Sequence, residues 1–116
     1  MTRRVALVVA AAVLALGVRG SAHAATLYGT VGPGATITLT RNGVKVTQVR
    51  AGWHTVVVRD RSTHHNFHLY GYGVNRATTN AFVGTRTWTI RVYRGKTYVY
   101  RCDPHRTFMR GTFRAV

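Results

Sequence analysis

From residue 27 onward the apolar residues of this chain fall in short runs, broken by glycine, asparagine and proline, with no helical period. β-Branched and aromatic residues dominate those runs, which is the composition of strands. Residues 27–31 read as a first strand, closed by Gly32-Pro33-Gly34. Residues 36–40 and 44–49 flank Arg41-Asn42-Gly43, and Asn-Gly between alternating segments is a strong hairpin signal. Further strands are expected over 53–59 and 65–70, followed by a long glycine-punctuated segment over 71–84. Residues 87–93 and 97–101 are joined by a turn at Arg94-Gly95-Lys96, and 112–116 closes the series. The pattern predicts an all-β domain, a Greek-key β-sandwich of about eight strands.

Residues 1–24 are read as standing apart from that domain. Arg3 and Arg4 precede an apolar stretch over 5–18, and Ala22-His23-Ala24 is a small-residue cleavage site, so this is a secretory signal peptide. Arg19 interrupts the run before it reaches the about 20 apolar residues that span a bilayer. The expected mature protein, residues 25–116, is one exported domain, periplasmic or extracellular, with no stable membrane insertion after cleavage.

Charge narrows the class of partner. Removing Arg3, Arg4 and Arg19 from the whole-chain charge of +15 leaves +12 for residues 25–116, with Asp60 and Asp103 as the only acidic residues and no Glu. Such a field accelerates encounter with acidic partners and weakens with salt. The arginines are scattered and not gathered into one run, so specific nucleic-acid binding is not expected. Paired-carboxylate and Ser-His-Asp chemistry lacks its residues, and the chain is expected not to be an enzyme.

The single cysteine then stands out. An unpaired cysteine in an exported protein calls for a chemical role, and this one lies in Cys102-Asp103-Pro104-His105-Arg106-Thr107-Phe108-Met109-Arg110-Gly111. One loop thus offers a thiolate, an imidazole and a thioether. A second imidazole is available upstream in His64-His65-Asn66-Phe67-His68-Leu69. Strand alternation puts Phe67 and Leu69 on the core face, with His65 sharing it and His64, Asn66 and His68 opposite. His65 is therefore the expected partner of Cys102. Two His and one Cys with a weak axial Met form the ligand group of blue-copper centres. His54 reads as a strand-surface residue without a ligand role, and Asp60 as a loop residue bonding local backbone. Trp53, Phe82, Trp88 and Tyr98 read as core or surface packing.

His65-Asn66 at a strand start, Thr87-Trp88-Thr89-Ile90, and Cys102-x-x-His105-x-x-x-Met109-x-Gly111 resemble the cupredoxins, the plastocyanin, pseudoazurin and amicyanin group, over essentially all of residues 27–116. The loop is intermediate in length: plastocyanin-type loops hold one more residue between His and Met, amicyanin-type loops one fewer. The resemblance implies one type 1 copper ion held by His65, Cys102, His105 and Met109, single-electron transfer, and a brace from Asn66 to the ligand loop. It also implies that His105 faces a redox partner. Pro104, lacking an N–H, cannot donate toward the Cys102 sulfur, and Gly111 is expected to let the chain turn after Met109. Tyr72, Pro104 and Phe108 would form an apolar docking patch around His105, with Arg76, Arg106 and Arg110 steering an acidic redox partner, and the protein is expected to be a monomer. A copper storage, delivery or sensing module is the competing reading, in which His64 and His68 join the soft ligands. A zinc site using one further His is a third.

Overall fold

The computed structural model describes residues 25–116, and the expected signal peptide lies outside the described residues. Ten strands build two five-stranded sheets: β1 Leu27–Val31, β2 Ile37–Arg41, β3 Val44–Lys45, β4 Gln48–Val49, β5 Gly52–Asp60, β6 His68–Gly71, β7 Val74–Ala77, β8 Gly84–Val92, β9 Thr97–Arg101 and β10 Arg110–Ala115. Their orders are β3-β2-β1-β5-β8 and β4-β10-β9-β6-β7. The expected all-β sandwich is present, and no helix occurs among the described residues.

Two differences raise the strand number above eight. The 44–49 run is not one strand, because the chain changes sheet within it. Val46 N–H still donates to Leu39 O in the first sheet, whereas Thr47 O accepts from Arg114 N in the second. Val46 is buried at this corner while Val44 is exposed. The second difference is β7, formed when the chain reverses at Tyr72-Gly73 and pairs Val74 opposite Gly71. Gly73 adopts a φ of 75°, which makes that tight reversal possible. The Asn42-Gly43 turn has φ values of 53° and 79°, as a two-residue hairpin of the primed kind requires.

Core residues come from the inner faces of both sheets, including Leu27, Leu39, Val56, Val58 and Ile90 from one and Leu69, Tyr98, Phe113 and Ala115 from the other. Near one end, the rings of Phe67 and Tyr100 stack with centroids 5.8 Å apart and planes within 1° of parallel. Two glycines make room for them. A Cβ on Gly29 would stand 2.6 Å from Phe67, and one on Gly111 would collide with Tyr100, its cross-strand partner. Gly111 therefore lies inside β10 and serves close packing, not the turn expected after Met109. Among the described residues the core cluster runs from Leu27 to Ala115, and both sheets contribute to it.

Adding one methyl group at either glycine overpacks a fully buried ring. Gly111→Ala and Gly29→Ala should each lower unfolding stability by about 1–3 kcal/mol, read as a fall in the urea midpoint at unchanged slope. An unshifted midpoint would contradict the close packing.

Candidate metal centre

The cluster sits at the end of the sandwich where β5 and β9 finish. Cys102 follows β9 directly, while His65 lies in the loop between β5 and β6. Each is two residues from a member of the stacked ring pair, Cys102 from Tyr100 and His65 from Phe67. Packing of those rings brings two distant chain segments into register. Phe67 is not in a strand, and β6 begins only at His68. Strand alternation is thus not the reason His65 points inward. The loop places His65, Asn66 and Phe67 all in buried positions.

Sγ of Cys102 lies 3.6 Å from Nδ1 of His65 and 3.6 Å from Nδ1 of His105, and the two nitrogens are 3.1 Å apart. Cys102 and His65 are buried and His105 is partly exposed. Among the described residues this is the group of His, Cys and acidic side chains whose donor atoms converge closely enough to hold an ion. The triangle's centre lies roughly 2.0 Å from every donor, the length of a metal–nitrogen bond and slightly short of a metal–sulfur bond of about 2.3 Å. A soft or borderline transition ion fits this donor set. Burial, then the neighbouring His105 and His64, hold the His65 pKa below its ordinary value against an opposing pull from Asp60. A neutral imidazole keeps a lone pair free for a metal.

Backbone hydrogen bonds fix the shape of the 102–109 loop. His105 N–H donates to Cys102 O at 3.2 Å, Met109 N–H to His105 O at 2.9 Å, and Cys102 N–H to Met109 O at 3.0 Å. Met109 is buried, and its backbone is bonded to both ligand-bearing residues of the loop. Phe108, exposed, lies against the His105 ring with centroids 5.4 Å apart.

Side chains then tie this loop to the His65 segment. Asn66 Oδ1 accepts from Asp103 N–H at 2.7 Å, and Asn66 Nδ2 donates to Asp103 Oδ2 and to Thr78 O. Asp103 also accepts from Arg101 Nε at 3.0 Å and from His68 Nδ1 at 2.9 Å. Burial pushes the Asp103 carboxyl up, but the hydrogen bonds from His68, Asn66 and Arg101 outweigh it and hold the pKa down at about 2. On the other side of the loop, Phe67 N–H donates to Thr78 Oγ1, whose hydroxyl donates to Asp60 Oδ2 at 2.8 Å. Asp60 also accepts from Ser62 N–H, the local backbone bond expected of it. Its carboxyl is held above the ordinary value by burial, against the Thr78 and Ser62 hydrogen bonds.

Several residues are placed otherwise than the sequence pattern led us to expect. His54 is buried, not on the surface: it shares the inward face of β5 with Val56 and Val58, and its Nε2 bonds Arg50 O at 2.6 Å. Its parity with those valines was the available signal. His68 does not join the cluster, since its ring nitrogens face Asp103 and Asn75. His64 is exposed beside Thr63 and does not join it either. Tyr72 is far from His105. It lies at the β6–β7 turn, beside Tyr93, with the length of β9 between that end and Cys102, roughly 15 Å at about 3.3 Å per residue. Thr78 and Asp103 were the residues missed, because their roles arise from loop packing and have no sequence spacing.

Thr78→Val keeps the shape but leaves the Phe67 N–H and the Asp60 carboxylate without their partner. The expected loss is about 1–3 kcal/mol in chemical denaturation; a neutral substitution would show that this chain of bonds does not fasten the His65 loop.

No protein-family model matches the chain, and no curated protein matches it in sequence. Among solved structures, the crystal structure of Lac15 from a marine microbial metagenome is similar at 14% identity and a TM-score of 0.43. The match covers 79% of this chain and 31% of that one, so this chain spans about a third of its length.

Proposed function

We propose that this chain is an exported type 1 copper protein of the cupredoxin kind, carrying single electrons between redox partners. The observation that carries the reading is the largely buried triangle of one thiol sulfur and two imidazole nitrogens, sized for a single ion and held at the end of a two-sheet sandwich. His65, Cys102 and His105 would hold the copper, with Met109 as a weaker fourth ligand. When bound, copper supplies one-electron chemistry by alternating between Cu(I) and Cu(II).

The chain's own residues provide the rest. Bound to the ion, buried Cys102 would supply an electron-rich thiolate, and imidazole nitrogens suit both oxidation states. Three backbone bonds across the 102–109 loop and the Asn66–Asp103 pair resist movement of the donors, which keeps reorganisation on electron transfer small. His105, partly exposed and flanked by exposed Phe108 and Pro104, offers the edge through which an electron leaves. Arg106 and Arg110 beside it favour an acidic redox partner. The two further histidines that a copper-storage cluster would recruit bond other partners, and among the described residues no third histidine converges with His65, His105 and Cys102 to complete a zinc site.

Voltammetry of the copper-loaded protein tests the assignment. A reversible one-electron wave is expected, and tight Cu(I) binding without redox cycling would move the protein to copper storage or delivery. Asn66→Ala, which releases the ligand loop, should weaken copper binding by roughly 10–100-fold. Pro104→Ala restores an N–H near the thiolate and should raise the reduction potential; an unchanged or lower value would contradict the role given to Pro104.

A further inference from the structure

The end of the sandwich opposite the cluster has a different chemistry. Trp53, Tyr72 and Tyr93 are all exposed there, Trp53 by 59% and Tyr72 by 60%. Cations alternate with these rings. The Arg91 guanidinium lies 5.8 Å from the Trp53 ring and 5.0 Å from the Tyr93 ring, Tyr93 meets Tyr72 edge-on at 5.2 Å, and Lys96 sits 4.9 Å from the Tyr72 ring. The strip crosses from one sheet to the other. The turns around it add exposed Arg50 and Arg94, and the C-terminal residues close the same end, with Ala51 N–H bonded to Val116 O and Gly95 N–H to Ala115 O.

No side-chain carboxylate is present at this end to balance the charge. Asp60 is buried where β5 finishes, and Asp103 is bonded within the ligand loop, both at the cluster end. Tyr28 is exposed in mid-sheet, and the exposed rings at the two ends differ in type. Phe108, wholly apolar, stands beside His105, whereas the strip uses Trp and Tyr, whose rings carry a polar edge. Trp and Tyr with Arg and Lys are the residues that settle at the headgroup level of a bilayer. The chain also enters the domain from this end, since β1 runs parallel to β5 with Leu27 opposite Val56.

We infer that this end is a docking surface for an anionic lipid bilayer, holding the domain at the membrane surface with the His65–Cys102–His105 end turned to water. The contact is peripheral: rings rest among headgroups while Arg91, Arg94 and Lys96 meet lipid phosphates. It does not depend on the metal or on electron transfer.

Trp53 makes the contact measurable, because the second tryptophan, Trp88, is already buried and its emission should not move. Residues 25–116 are mixed with vesicles of equal parts phosphatidylglycerol and phosphatidylcholine, or of phosphatidylcholine alone, at about 0.1 M salt. Sedimentation with the anionic vesicles is expected, with a blue shift of fluorescence that Trp53→Phe abolishes. Lys96→Ser and Arg94→Ser should each weaken partitioning roughly fivefold, while Arg106→Ser, at the cluster end, leaves it unchanged. Equal binding to neutral vesicles, no shift on binding, or an equal loss from Arg106→Ser would overturn the proposal. A blue shift with soluble polyaspartate but none with vesicles would overturn it too, assigning the surface to an acidic protein.

Discussion

The stacked pair of Phe67 and Tyr100 is the contact on which the rest of this end of the molecule depends. Phe67 belongs to a loop and Tyr100 to a central strand of the second sheet, and their rings pack in parallel, offset planes with room made by Gly29 and Gly111, which carry no side chains. Burial of two large rings is a strong driving force. It converts the position of a loop into a consequence of core packing. His65 and Cys102, each two residues from one of those rings, are then brought together without needing to attract one another.

Polar contacts finish what packing begins. The Asn66 amide engages both the backbone and the side chain of Asp103, and Thr78 bridges Phe67 to Asp60. A buried amide or hydroxyl left without partners costs more than a made bond returns. These residues therefore penalise any other arrangement of the two loops. Both acidic side chains of the domain are engaged in this way, so every charged side chain on the remaining described surface is basic.

Much of this was legible in the chain. Alternating short strands, the Asn42-Gly43 turn and the Cys102–Met109 spacing carried the fold class and the three converging donors. Four features were read otherwise than the structure has them. The sheet switch at Val46 depends on which sheet captures each backbone group, which hydrophobic pattern does not record. His65 was selected by strand alternation, yet it lies in a loop and is turned inward by the packing of Phe67. His54 was read as exposed although its parity with Val56 and Val58 already put it inside β5. Tyr72 was grouped with His105 through composition, but the β6–β7 reversal carries it to the far end.

We propose that Cys102, His65 and His105 bind one copper ion through a thiolate and two imidazoles. Optical absorption and EPR of the protein loaded with Cu(II) test it most directly. One copper per chain, an intense blue thiolate-to-copper band and a small parallel hyperfine splitting are expected, all lost in Cys102→Ser. A colourless complex with the wide splitting of ordinary tetragonal Cu(II), or binding that Cys102→Ser leaves intact, would contradict it.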